Sequence, residues 1–203
     1  MPAFLRTHLT ALRMLLAMTA VLGLAYPLLV TGISQLAFPA RADGSIVEHD
    51  GRPVGSRLIG QTFDLPRTDP DAPARPDPKW FQPRPSAGGY DPTASGASNL
   101  GPNSTDLLDA VAQRRAAIAA FDGVDPASVP PDALTASGSG LDPHISVAYA
   151  REQVDRVARE RGIPAQQLNH LIDQHTDGRP LGFLGQEGVN VLQLNLAVAA
   201  LDE

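Results

Sequence analysis

Residues 14–38 read MLLAMTAVLGLAYPLLVTGISQLAF, 25 positions without a charge. As a helix this run is about 37 Å long, against a bilayer hydrocarbon core of roughly 30 Å. It is read as a transmembrane helix with some tilt. The competing reading is a cleaved signal peptide, since Arg6 and Arg13 precede the run and Ala40-Arg41-Ala42 follows it. Signal h-regions are typically ~7–15 residues, and a retained span is expected. A span tolerates Pro27 near its middle. On a regular helix, Ala17, Ala20, Gly23, Pro27, Thr31, Ser34 and Gln35 fall within about a third of the circumference. Leu15, Leu22, Leu29, Ile33 and Leu36 lie opposite. Small and hydroxyl side chains on one stripe allow close backbone approach, so this face is predicted to pack on a neighbouring helix.

Beyond the run the pattern is that of one α+β domain. Residues 45–49 and 52–55 flank Asp50-Gly51, a hairpin signal with Pro53 marking an edge strand. Leu58 to Phe63 is predicted to be a further strand. Residues 65–79 hold Pro66, Pro70, Pro73, Pro76 and Pro78 and are read as an exposed, extended loop. Residues 82–104, rich in Pro, Gly, Ser and Asn, are read as an ordered loop. A helix is predicted over 105–121, with Ser104 as N-cap, Gly123 beyond its end and Leu107, Leu108, Val111, Ile118 and Phe121 apolar. Asp142-Pro143 is expected to open a second helix that Gly162 stops, burying Ile145, Tyr149 and Val157. Ile163-Pro164 opens a third, with Leu168, Leu171 and Ile172 inward and an end at Asp177-Gly178. Val189 to Leu201 reads as a helix capped by Asn190, with strand-like alternation at Leu192, Leu194 and Leu196 as the alternative.

Charge bears on topology. The 203 residues carry 16 basic and 22 acidic side chains. Two of the basic ones, Arg6 and Arg13, precede the span, which leaves 14 against 22 in residues 39–203, a net of −8. Basic residues without acids before a span favour a cytoplasmic N-terminus, although Arg41, Arg52 and Arg57 follow it closely. The organisation expected is a cytoplasmic tail at 1–13, a span at 14–38 and an extracytoplasmic domain at 39–203. An acidic domain is a poor partner for nucleic acid. The absence of cysteine agrees with that compartment without deciding it.

Few residues offer chemistry. Ser137, Gly138, Ser139 and Gly140 form a glycine-rich loop, expected to run into a helix N-terminus where free N–H groups hold an anion. It lacks the Gly-Lys-Ser/Thr ending of a P-loop, and Asp142 would repel the anion. A tightly turned structural loop is the simpler reading. Ser137 or Ser139 with His144 and Asp142 supplies the residue types of a hydrolase triad, without a nucleophile-elbow pattern. No catalytic residue is assigned. His170 and His175 are five apart and do not share a helix face, so no metal site is assigned. Arg84, held between Pro83 and Pro85, suits either a partner contact or a structural bridge.

The motifs taken together resemble a known family. They are Tyr26-Pro27-Leu28, Phe38-Pro39, Leu58-Ile59-Gly60-Gln61, Arg84-Pro85-Ser86-Ala87, Ser98-Asn99-Leu100-Gly101-Pro102, the run from Thr135 to Ser146, His175-Thr176, Gly182-Phe183-Leu184-Gly185 and Val189-Asn190-Val191-Leu192. In this order they resemble the C subunit of the bacterial Kdp potassium-transporting P-type ATPase, from about Leu24 to the end. Ala97 stands where that family usually has a second glycine, and the proline-rich stretch looks enlarged. The resemblance implies a non-catalytic subunit, single-pass in the inner membrane with its bulk in the periplasm. Its expected partners are the channel-like potassium-binding subunit, the P-type pump subunit and the lipid bilayer, with Arg84, Ser86, Asn99 and His144 as contact candidates. ATP would be reached only through the pump subunit, although the family has been proposed as a catalytic chaperone that raises that subunit's ATP affinity. The alternative from another class is a membrane-anchored extracytoplasmic enzyme or binding module acting alone.

Overall fold

In the computed structural model the chain forms two compact units, residues 1–46 and 47–203. The structure describes residues 2–67, 69 and 72–201. The first unit is a single apolar helix, Ala3–Ala37, with a following turn. It runs as α1 (Ala3–Ala20), a π-helical stretch (Val21–Ala25) and α2 (Tyr26–Ala37), and none of its residues is buried. The helix thus begins well before the apolar run and carries Arg6 and Arg13. Its 35 residues reach about 52 Å at ~1.5 Å each, more than a bilayer core. The π stretch sits directly before Pro27, and the Tyr26 N–H donates to the Val21 carbonyl, five residues back. Proline has no N–H to give, and an added residue in the turn is one way a helix accommodates it. That insertion also rotates everything below it. Ala17, Ala20 and Gly23 therefore form one patch and Pro27, Thr31, Ser34 and Gln35 another, displaced around the axis by about one residue position. Phe38, forced out of helical geometry by Pro39, ends the helix at φ −141°. A short turn follows, α3 (Pro39–Ala42).

The second unit is mixed α/β with little regular sheet. Strands β1 (Ile46–His49) and β2 (Arg52–Ser56) pair through Asp50 and Gly51, at φ 52° and 70°, as the sequence predicts. Leu58–Phe63 is not a strand, contrary to expectation. Only an isolated bridge joins Ser56 to Ile59, Leu58 is exposed, and the Gly60 N–H is drawn to the Leu141 carbonyl at 2.8 Å. The proline-rich loop is pinched at its base, where Leu65 donates to Arg75 and Asp77 to Phe63, both at 2.9 Å. Thr68, Pro70 and Asp71 of that loop lie outside the described residues.

Helix α4 (Thr105–Asp122) ends at Gly123 in the left-handed conformation. Leu108 on it is exposed rather than packed. A short α5 (Pro131–Leu134) follows. The expected helix start at Asp142-Pro143 is wrong. Residues 144–145 form β3 (His144–Ile145), and the helix begins four residues later, capped by Ser146, whose Oγ accepts from the Tyr149 N–H. A sheet partner, β5 (Gly188–Asn190), claims the backbone that proline geometry alone assigns to a helix. The helix is also broken at Gln153, into α6 (Val147–Glu152) and α7 (Val154–Arg161). Helix α8 (Ala165–Gln174) stops before Asp177, which belongs to β4 (Thr176–Asp177). The strand order is β3-β5-β4, antiparallel throughout, pairing His144 with Asn190 and Asp177 with Gly188. Helix α9 (Val191–Ala199) follows with Asn190 as its cap, as expected.

Phe81, Ile145, Tyr149, Val157, Leu168, Ile172, Val189, Leu194 and Val198 make the core. The segment Trp80 to Ser86 joins no sheet, yet it places Phe81 in the core and buries Gln82. Side chains replace the missing ladder. Asn195 accepts from the Phe81 N–H and donates to its carbonyl, both at 2.9 Å. Gln153 does the same for Gln82, at 2.6 and 3.1 Å. Arg156 donates to the carbonyls of Pro78 (2.6 Å) and Trp80 (2.9 Å), to Gln153 (2.7 Å) and to Asp122 (2.6 Å).

Candidate functional site

The clamped segment carries Arg84 to its place. Its guanidinium donates to Asp142 Oδ2 at 2.9 Å and to the Thr135 carbonyl at 3.2 and 3.4 Å. Of the two roles open to Arg84 from sequence, the structural bridge is occupied. Asp142 Oδ1 accepts from the backbone N–H of His144 at 3.0 Å, a turn contact where a helix cap was expected. The His144 ring then lies between two carboxylates, with Nδ1 3.6 Å from Asp142 and Nε2 3.4 Å from Asp177. At these lengths the contacts are ion pairs more than hydrogen bonds. Gly188 lies under the ring: a Cβ there would stand 3.2 Å from His144 Cβ and 3.6 Å from the imidazole. The absent side chain lets His144 on β3 reach across β5 to Asp177 on β4. This row borders an open cleft of about 570 Å³.

Charge follows geometry. For Asp142, burial pushes the carboxyl upward, and His144 and Arg84 outweigh it, holding the group below its usual range. His144 is raised, chiefly by Asp142 against the opposing effect of burial, with Asp177 adding to the pull. A raised histidine stabilises the fold fully below its unfolded value of about 6.5. That contribution disappears as pH rises through the folded value, which lies above it. His144→Gln is therefore expected to lower the unfolding midpoint at pH 6 and to lose that effect progressively above pH 6.5. Thermal unfolding of both proteins across pH 5.5–9 checks it, and a pH-independent difference would contradict the ion-pair account.

The glycine-rich loop is engaged internally. Ser137 Oγ accepts from the Gly140 N–H at 3.0 Å, and Ser139 Oγ from the Leu141 N–H at 3.1 Å. The Ser139 carbonyl accepts from Gly96 N at 2.8 Å and Ser95 Oγ at 3.1 Å. Two donors that an anion would need are taken, and no helix starts here. Gly138 is exposed with open space around it. Gly140, at φ 68°, has the Gly96 carbonyl 2.7 Å from where a Cβ would be. Ser86 Oγ donates to the Gly140 carbonyl at 2.6 Å and accepts from Tyr90 N at 2.9 Å, while Tyr90 Oη donates to the Arg84 carbonyl at 2.7 Å. Burial, first of its causes, pushes the Tyr90 hydroxyl strongly up, so it remains a donor. Asn99 is exposed, in left-handed conformation at φ 53°.

Among the described residues no hydrogen bond joins Ser137 or Ser139 to His144. The two hydroxyls face each other at 3.3 Å, and both imidazole nitrogens face carboxylates. No group of three or more His, Asp or Glu side chains is placed to hold a metal ion among the described residues. Sequence reasoning brings Arg84, Ser86, Asp142 and His144 forward, and the structure joins Arg84, Asp142 and His144 into one row. It misses Asp177, Gly188 and Tyr90. Of these only Gly188, directly before the alternating Val189-Asn190-Val191, carries a local signal.

Comparison with known proteins agrees with the motifs. The family described as K+-transporting ATPase, c chain (KdpC) matches residues 8–200. The chain is 60% identical to the potassium-transporting ATPase KdpC subunit of Kineococcus radiotolerans, covering 96% of this chain and 93% of that one. It is 48% identical to that of Mycobacterium tuberculosis (97% and 99% covered) and 44% identical to that of Streptomyces coelicolor (97% and 93%). With a family match over nearly its whole length and an apolar helix at its start, the chain belongs to the KdpC family, the accessory C subunits of the membrane-bound K+-transporting ATPase.

Proposed function

We propose that this chain is a non-catalytic assembly subunit of the potassium pump, with its N-terminus in the cytoplasm and residues 39–203 outside. The helix holds the channel-like and pump subunits together within the bilayer. The external domain docks over the channel-like subunit near the ion entrance, where its acidic surface raises the local cation concentration over about one Debye length, ~10 Å. The observation that carries this reading is the apolar helix Ala3–Ala37, none of whose residues is buried. Its small-residue patches above and below the π turn, Ala17, Ala20 and Gly23, then Pro27, Thr31 and Ser34, are surfaces for two different neighbouring helices. Arg84, Ser86, Asn99 and His144 remain the candidates for the docked face, with Arg84 and Ser86 acting through the loops they brace.

A second reading, nucleotide assistance to the pump subunit, requires the domain to be cytoplasmic. One experiment separates the two. The chain has no native cysteine, and Gly138 is exposed with nothing close to it. Gly138→Cys in the full chain is treated with a membrane-impermeant maleimide, in intact cells and in cells with the cytoplasmic membrane opened. Labelling in intact cells is expected. Labelling only after opening would overturn the orientation and favour nucleotide assistance.

A further inference from the structure

The connection between β4 and β5 is longer than a hairpin needs. Asp177 and Gly188 are paired residues, yet ten residues separate them where 2–5 close most hairpins. Those ten, residues 178–187, place Leu181 (82% exposed), Phe183 (71%) and Leu184 (48%) in solvent. Three large apolar side chains within four positions stay out of the core, Leu181 and Phe183 mostly exposed and Leu184 about half. The loop is nonetheless shaped. Gly182 N donates to the Arg179 carbonyl at 2.9 Å and Leu184 N to that of Pro180 at 3.1 Å. Gly182 and Gly185 are left-handed at φ 79° and 72°, and so is Leu181 at φ 56°, a conformation that costs a leucine. Its base is braced by the Asp177 contact to His144. A braced loop that presents leucine and phenylalanine outward has the form of an interface anchor.

Charge selects the occupant. Asp177 and Glu187 flank the tip, with Arg179 as its only cation, and the adjacent cleft is lined by Asp132 and Asp142 together with Arg84 and His144, which leaves the rim acidic on balance. Membrane-surface binding draws on basic residues to engage anionic lipid, and this rim repels it. Membership of a family of pump subunits supplies the partner instead. The geometry points to residues 178–187 as a docking arm, with Leu181, Phe183 and Leu184 entering an apolar pocket, rimmed by basic side chains, on another subunit of the pump. The inference rests on the assembly reading above and names the part of the domain that makes the contact.

The test uses the full chain in the assembled complex. A photoreactive benzoylphenylalanine replaces Phe183, and in a separate protein Leu108, which is also exposed but lies on α4. An adduct with a pump subunit from position 183 and none from 108 is the expected result. Phe183→Ser with Leu184→Ser is expected to weaken retention of the chain in the solubilised complex by about 30-fold, while leaving its unfolding midpoint unchanged. An adduct with lipid alone, or with a second copy of this chain, overturns the docking arm. So does an unreactive position 183 in a chain that still copurifies with the pump subunits, an outcome that leaves the assembly reading intact. Failure of the unmodified chain to copurify with any pump subunit overturns the assembly reading itself.

Discussion

Arg156→Ala is expected to remove about 3–5 kcal/mol of folding stability, because it leaves a carboxylate buried without its partner. Arg156 and Asp122 are both almost inaccessible, and the guanidinium sits 4.4 Å above the Phe121 ring. All three nitrogens of its fork donate, to Asp122, to Gln153 and to the carbonyls of Pro78 and Trp80. Burial pushes the Asp122 carboxyl up, and Arg156 offsets that only in part. Without Arg156 the offset is gone. A group raised in the folded state loses stability as pH rises above its unfolded value, so the deficit of Arg156→Ala should deepen from pH 5 to pH 8. Denaturant unfolding of the two proteins at both pH values checks the size and the slope. Replacing the pair together, Arg156→Met with Asp122→Leu, should cost less than Arg156→Ala alone, since no charge is then stranded. It would still strand the Pro78 carbonyl and leave that of Trp80 with only the Gln82 amide at 3.3 Å, so it is not expected to be neutral. A loss below about 1 kcal/mol for Arg156→Ala would mean that water reaches Asp122 and that the site is not dry.

How legible the molecule is from sequence depends on the range of the interaction. The apolar run, the Asp50-Gly51 turn, Gly123 and Gly162 as helix ends, and Asn190 as a cap are decided within a few residues, and each is read correctly. Errors begin where distant chain decides. Asp142-Pro143 has the local chemistry of a helix start, yet β5, more than forty residues on, pairs with His144 and Ile145 and moves the start to Val147. Leu58–Phe63 has the composition of a strand but finds no ladder, because Gly60 is held by Leu141. Nothing local in the sequence marks Arg156 as buried, because its partner Asp122 lies 34 residues away. The candidate site divides in the same way. Arg84, Asp142 and His144 are visible as motif residues, while Asp177 joins them only through a three-stranded sheet whose strands are two or three residues long. Such strands are too short to leave a period in the sequence.

That brevity explains the other large prediction. A domain with so little sheet must satisfy the backbone of Trp80–Ser86 by other means, and Asn195 takes a share of that work. Its amide meets both the N–H and the carbonyl of Phe81, as a neighbouring strand would, in a fully buried place. Asn195→Leu keeps the volume and removes both bonds, stranding two buried backbone groups at about 1–3 kcal/mol each. A total loss of about 2–6 kcal/mol is expected, larger than the ordinary range for a near-isosteric core change. Asn195→Ala would add a cavity and blur the cause, so leucine is the informative choice. The effect should also travel. Phe81 lies three residues before Arg84, and the position of Arg84 on Asp142 depends on where this segment is held. Amide hydrogen exchange should show lost protection at Phe81 first and then at Gly96 and Gly140, whose N–H groups bond to Ser139 and Ser137 in a loop that Ser86 ties through the Gly140 carbonyl. Lost stability with protection unchanged at Gly96 and Gly140 would show that the glycine-rich loop stands on its own contacts. In that case Asn195 supports the core alone and not the row from Arg84 to Asp177.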